Sequence, residues 1–308
     1  MMIEFQENYE LKQHTTFKVG GKAKRVFFPK TIDELVSILS QNPKAIVLGS
    51  CSNVIVSSFG VDEDVILTTK INSFTFENNI LTADCGTKGP LLSKECQSKK
   101  LSGFEFMIGF PGSIGGMVHM NASAHNQAVS DSFVSAKVLD IDNKSIIELT
   151  KKEMKFDYRT SILSKKNYIL LNASFELTPS EQNKIDELMS RNLEFRRLRQ
   201  PSLSIPNIGS IFKNPENDSA GRLLDLAGAK DLSIGGAKVW ENHANFIVNF
   251  DNATSSDIIK LIQKMQEIVK EKYTIDLKPE AKYIGNKDKE EETLWQTVSG
   301  KNTTKAQK

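Results

Sequence analysis

The spacing of apolar positions changes along the chain. Residues 24–28 form a short apolar stretch closed by Pro29, and Thr31-Ile32-Asp33-Glu34 has the form of a capping box at a helix start. Ile32, Leu35, Val36 and Leu39 follow at helical spacing, and 45–48 is a strand-sized apolar run ending at Gly49. Strand, helix and strand in this order predict an α/β opening. From about residue 64 the segments shorten. Residues 65–69, 74–76, 80–83, 136–141, 145–149 and 168–177 read as β-segments separated by Asn, Asp and Gly, with one helix between them that has Pro90 near its start and Ser102-Gly103 after its end. A mostly antiparallel sheet is expected there. Residues 179–198 and 254–273 read as helices whose apolar faces are accounted for by core packing. Beyond Gly285, Lys and Glu nearly cancel and only Leu294, Trp295 and Val298 are apolar, so 286–308 reads as a polar, disordered tail.

Composition narrows the function classes. The chain has 308 residues, of which 39% are hydrophobic, too apolar for a disordered protein and too long for a disulfide-stapled mini-protein. Forty Lys+Arg against 38 Asp+Glu leave a net charge of +2, with no strong pull toward nucleic acid or an anionic membrane. The apolar runs fall far short of the roughly 20 residues of a membrane span, and the Met-Met-Ile-Glu-Phe start lacks a basic-then-apolar signal region. Three cysteines, Cys51, Cys85 and Cys96, are an odd count without metal-type spacing. A cytoplasmic protein with reduced thiols and no metal site is expected.

Two glycine-rich turns could hold an anion. Gly49-Ser50-Cys51-Ser52-Asn53-Val54 follows an apolar strand, and Pro111-Gly112-Ser113-Ile114-Gly115-Gly116 follows the Phe-rich stretch 104–110. Such turns bring backbone amides and small hydroxyls close to a pyrophosphate, although ordinary tight turns have the same look, and neither has the P-loop or dinucleotide spacing. A third constellation is Gly209-Ser210-Ile211-Phe212-Lys213-Asn214-Pro215 followed by Ser219 and Arg222, an anion site at a capped helix or simply a loop leading into one. His243 reads as a structural histidine, Arg159 as a carboxylate partner or a strand cap, and Glu280 as a surface acid. These residues alone select no reaction.

Taken in order, the blocks 15–21 (Thr-Thr-Phe-Lys-Val-Gly-Gly), 49–53, 111–116 with Met120-Asn121-Ala122, Tyr158-Arg159, 209–215, 243–249 and 277–285 resemble the UDP-N-acetylenolpyruvoylglucosamine reductase (UDP-N-acetylmuramate dehydrogenase) family, from about residue 10 to 285. The chain resembles its shorter type, with no inserted tyrosine loop between Arg159 and Arg196-Arg197. The resemblance implies an α+β fold of three domains: a two-part FAD-binding fold of the vanillyl-alcohol oxidase type, at 1–70 and 71–195, and a C-terminal α+β substrate domain at 196–285. It implies non-covalent FAD, NADPH as co-substrate, a UDP-sugar substrate reduced at its enolpyruvyl ether in peptidoglycan precursor synthesis, and a monomeric, cytoplasmic enzyme that binds no nucleic acid and inserts in no membrane. By motif, Arg159, Ser210 and Glu280 would be catalytic, with Ser210 the proton donor. Gly49, Ser50, Cys51, Ser52, Asn53, Val54, the turn Pro111 to Gly116, Asn121 and Ala122 would line FAD, and Lys213 and Asn214 would bind substrate. Ser50 and Cys51 stand where the family usually has glycines, which is tolerable if those backbone angles are ordinary. Ser123, His125 and Asn126 depart from the usual Asn-Ala-Gly-Ala-Tyr-Gly segment. An oxidase on the same scaffold and a non-catalytic nucleotide sensor are the rival readings.

Overall fold

The computed structural model describes residues 4–300. The chain divides into two compact units that interleave in sequence. Among the described residues, the first comprises 4–7, 25–50 and 63–196, and the second 8–24, 51–62 and 197–300.

The first unit contains the strand–helix–strand opening. Helix Ile32–Gln41 starts at Thr31, whose hydroxyl accepts from the Glu34 amide at 3.2 Å, while Glu34 reaches back one residue further than expected, to the Lys30 amide at 2.6 Å. Strand Val65–Leu67 lies between its neighbours and pairs in parallel with Val26-Phe27 on one side and Ile46–Leu48 on the other. The β-rich stretch forms an antiparallel sheet in the order Ser145–Thr150, Phe133–Asp140, Tyr168–Glu176, Ile80–Asp84, Phe74–Glu77. One hydrophobic cluster, which includes Leu35, Ile66, Leu81, Phe104, Phe106, Val138 and Phe175, fills this unit. Helix Gln182–Arg199 has only a weak apolar stripe: Ile185 and Met189 bury against Ile108.

The second unit packs helix Ser255–Tyr273 against the hairpin Ala237–Trp240/His243–Asn249. Thr254 caps that helix with a complete capping box to Asp257. Ile258, Leu261, Ile262 and Met265 are fully buried in a cluster with Phe17, Ile55, Phe212 and Ile247.

The expected disordered tail needs correction. Lys289–Ser299 is a helix capped by Asp288, with Trp295 and Val298 in the core of the second unit. Glu291 is also buried, accepting from the hydroxyls of Ser255 (2.7 Å), Ser256 and Tyr283 (2.8 Å). Periodicity understates this helix because one of the residues it buries is a carboxylate, made tolerable by three donors. The remainder of the tail call, 301–308, lies outside the described residues. Trp295 stacks on Tyr283 with ring centroids 5.7 Å apart. Trp295→Ala should therefore destabilise the protein by about 3–5 kcal/mol, read as a lower urea midpoint; a solvated tail would leave the midpoint unchanged.

Candidate active site

In the first unit the two glycine turns meet. A Cβ built on Gly49 would fall 2.0 Å from the Ser113 hydroxyl, so this approach needs glycine. The Thr68 hydroxyl fixes the end of the incoming strand by donating to the Leu48 carbonyl at 3.2 Å. Within the second turn, the Ile114 amide donates to Thr87 (2.9 Å) and the Gly115 amide to Cys85 (2.7 Å). The amides of Gly112, Ser113 and Gly116 are then the turn's unengaged donors among the described residues. The hydroxyls of Ser50 and Ser113 are buried with no hydrogen-bond partner among the described residues. Leaving a buried hydroxyl unsatisfied costs roughly 1–3 kcal/mol. Two such hydroxyls beside close-approaching glycines and free amides suit an oxygen-rich anion, and these residues fit the pyrophosphate of FAD.

The remaining turn residues belong to the second unit. Cys51 is buried with φ of 50°, in the left-handed region, so the ordinary backbone angles expected at this position are not found. Burial pushes its thiol up to about 12, which keeps it protonated and unreactive. Asn53 donates through Nδ2 to the Glu280 carbonyl at 3.4 Å and accepts from the Lys282 amide at 3.0 Å. Val54 pairs in parallel with Lys282. The first turn and Glu280 are thus stitched together.

Glu280 is joined in turn to Ser210. Ser210 pairs with Phe246 and Phe212 with Pro279, so residues 210–213 run as an added strand between the hairpin and 278–280. The Glu280 amide donates to Ile211 (2.7 Å) and the Lys213 amide to Lys278 (3.0 Å). Gly209, at φ of 81° with open space around it, supplies the bend into this strand. Asn245 clamps the strand from the other side: its Oδ1 accepts from the Phe212 amide and its Nδ2 donates to the Phe212 carbonyl, both at 2.9 Å. Ser210, Lys213 and Glu280 therefore come together within one unit. Asn214 is exposed, and its Oδ1 caps the amide of Ala220 at 3.1 Å. Arg222 does not serve an anion, because its guanidinium is taken up by Asp218. His243 is structural as expected. Its Nδ1 accepts from the Asn245 amide at 3.2 Å, and burial lowers its pKa.

Arg159 lies in the first unit, in a two-residue turn closed by Asp157 and Thr160, at φ of 56°. Its Nη1 donates to the Ser123 hydroxyl at 2.7 Å, and both terminal nitrogens lie 3.4 Å from the Ser123 carbonyl. Asn121 holds the same turn by donating to the Asp157 carbonyl at 3.2 Å, and its Oδ1 accepts from the Ser130 amide at 3.1 Å. Ala122 is buried behind it. Sequence reasoning assigned no role to Ser123 or Asn245. Both act across about 35 residues of chain, and no local spacing signals such a contact.

Comparison with known proteins gives the family. A family model described as an FAD binding domain matches residues 23–150, and one described as the C-terminal domain of UDP-N-acetylenolpyruvoylglucosamine reductase matches 200–284. A protein of that name from Caldicellulosiruptor bescii is 41% identical over 97% of this chain and 96% of its own length. Its counterpart from Caldicellulosiruptor saccharolyticus is 40% identical over 92% and 93%. The chain belongs to the UDP-N-acetylenolpyruvoylglucosamine reductase family. The crystal structure of the reductase from Thermus caldophilus superimposes with a TM-score of 0.80 at 30% identity, covering 92% of this chain and 99% of that one. The α+β fold is accordingly that of the reductase family, an FAD-binding part followed by the reductase C-terminal domain. Among the described residues, no helix is long and apolar enough to cross a membrane.

Proposed function

We propose that this protein reduces the enolpyruvyl ether of UDP-N-acetylglucosamine enolpyruvate to the D-lactyl ether of UDP-N-acetylmuramate, in the peptidoglycan precursor synthesis of the cytoplasm, acting as a monomer. The observation that carries the reading is the strand at 210–213, which holds Ser210 next to Ile211, the backbone partner of Glu280, with Asn53 of the first glycine turn donating to the Glu280 backbone carbonyl. Bound FAD supplies a two-electron carrier between NADPH and the enolpyruvyl double bond. The reaction balances as one NADPH and one proton consumed for each double bond reduced.

The chain's own residues then have separate tasks. As electrons enter at the terminal carbon, negative charge builds on the neighbouring carbon and its carboxylate, and fixed donors must meet it. Arg159 provides the cation and Glu280 the second stabilising group. The Ser210 hydroxyl delivers the proton to the carbon; so weak an acid serves only a strongly basic carbanion held in near-attack geometry. Lys213 and Asn214 bind the substrate's phosphate or sugar. The Ser50 and Ser113 hydroxyls, with the amides of Gly112 and Gly116, hold the FAD pyrophosphate. Gly49, Cys51, Ser52, Asn53, Val54, Pro111, Ile114, Gly115, Asn121 and Ala122 shape the walls of that site.

The test is to reduce the protein with NADPH without oxygen, add UDP-N-acetylglucosamine enolpyruvate, and follow the flavin absorbance. Rapid return of oxidised flavin with UDP-N-acetylmuramate formed is the expected result. Reduced flavin that ignores the sugar nucleotide and reoxidises only in air would make the protein an oxidase instead.

Ser123 offers a further check. A hydrogen bond to a charged group contributes about 1.5–3 kcal/mol, and Ser123→Gly removes the shorter of the contacts on Arg159. The variant should lose roughly 10-fold in kcat/KM for the sugar nucleotide, with Ser123→Thr restoring it and the rate of reduction by NADPH unmoved. An unchanged kcat/KM would show that Arg159 needs no such support.

A further inference from the structure

A cavity of about 310 Å³ in the first unit is lined by His125, Asn126, Arg191, Asn192 and Phe195. Its upper edge is a tight hairpin. Ser123-Ala124 pairs with Gln127-Ala128, and the two residues between, His125 and Asn126, sit at φ of 53° and 61°, as a two-residue turn of the primed type requires. The other wall is the end of helix Gln182–Arg199. The His125 and Phe195 rings meet edge to face at 5.2 Å.

Arg196 follows Phe195 on that helix, one turn beyond Asn192. Its stem packs on Gly109, where a Cβ would come within 3.4 Å of Arg196 Cδ, and its guanidinium lies 5.7 Å from the centre of the Phe110 ring. Among the described residues it has no carboxylate partner and no hydrogen bond. Burial pulls its pKa down to about 10, and its charge and that of Arg191 both reach His125. Glu105, the buried acid whose backbone carbonyl holds Asn192, accepts through one carboxylate oxygen from the Gly103 amide (2.9 Å) and Gln127 (3.4 Å), and its other oxygen is buried with no partner among the described residues. A cation–π contact offsets only part of what a guanidinium loses on burial.

We propose that this cavity is an anion receptor, in which Arg191 and His125 of its lining, with Arg196 beside them, take a phosphate group of one of the two nucleotide ligands. The choice of nucleotide rests on the reaction proposed above; the receptor itself rests on the cavity. Guanidinium forks match phosphate oxygens in pairs, and the flanking His125 and Phe195 rings offer a surface for a base or a nicotinamide. The same hairpin carries Ser123 at its base, bonded to Arg159, so the second anionic group of a ligand would be met two residues along from the first.

The test uses the full-length, flavin-loaded protein and inorganic pyrophosphate as probe. Pyrophosphate should raise the melting temperature of the native protein, since a ligand that binds only the folded state stabilises it. Arg196→Gln should abolish that rise, melt no lower than the native protein without ligand, and weaken binding of one nucleotide by about 10- to 100-fold. Arg196→Lys, which keeps the charge, should retain part of the pyrophosphate effect. Weakened binding in the reductive half-reaction assigns the phosphate to NADPH, and in the oxidative half-reaction to the sugar nucleotide. A native protein indifferent to pyrophosphate, or an Arg196→Gln variant that responds as fully as the native protein, would overturn the receptor. So would loss of the pyrophosphate effect with both half-reactions unchanged, which would mean an adventitious ion only. If neither nucleotide alters the flavin of the native protein while the Arg196-dependent pyrophosphate shift persists, the proposed reaction fails and the receptor stands.

Discussion

Ser210→Ala is expected to slow reoxidation of the reduced flavin by UDP-N-acetylglucosamine enolpyruvate by about 10²–10⁴-fold, the usual loss when a positioned acid is removed, while reduction of the flavin by NADPH proceeds at the native rate. The separation follows from how the residue is held. Its strand is fixed through backbone pairing at Phe246 and through the Ile211 amide, which donates to the Asn245 carbonyl at 2.9 Å. None of those bonds uses the serine side chain, so alanine leaves the frame in place and removes only the hydroxyl. Ser210→Cys, which keeps a proton on the γ atom, should recover part of the lost rate. Stopped-flow measurement of the two half-reactions checks both variants. Equal slowing of the two half-reactions by alanine would mean that Ser210 supports the site instead of donating the proton.

Much of the fold was legible because its signals are local. The capping pattern at Thr31 and the apolar spacing of 254–273 marked helices that the structure reproduces, and the short segments from about residue 64 anticipated an antiparallel sheet, except that Val65–Leu67 pairs in parallel in the opening sheet instead. The helix at Lys289–Ser299 was hidden by its own charge. Asp288 and the three glutamates after it form a proper helix start, but Glu291 goes inward, and a carboxylate is not counted as a core residue when apolar spacing is read. The turns were legible as glycine-rich turns, whereas Cys51 was not legible as a left-handed residue: a side chain at φ of 50° is invisible until the backbone is seen. The interleaving of the two units also leaves no local trace, since the chain passes from one to the other within the first glycine turn, between Ser50 and Cys51. The candidate site was legible only through its family resemblance. What that resemblance could not supply were the groups that hold the site residues in place, Ser123 against Arg159 and Asn245 against the Ser210 strand.

Asn245 should prove the most sensitive of these. Its side chain is 3% exposed and makes the paired bonds to Phe212 that a neighbouring backbone would otherwise make. Asn245→Ala leaves the amide and carbonyl of the buried Phe212 without those partners. At roughly 1–3 kcal/mol for each buried group left unsatisfied, the expected destabilisation is about 2–5 kcal/mol. For a chain of this size that lowers the melting temperature by roughly 5–15 °C, within reach of differential scanning calorimetry. Activity should fall as well, below the new melting point, because the freed strand carries Ser210 and also accepts the Glu280 amide at Ile211. The pattern differs from that of Ser210→Ala: one substitution removes a proton and spares stability, the other keeps the proton and loosens both groups. A variant with native melting and native reoxidation rate would mean that the pairing with 278–280 alone holds the strand, and that Asn245 fills space without fixing the geometry of the site.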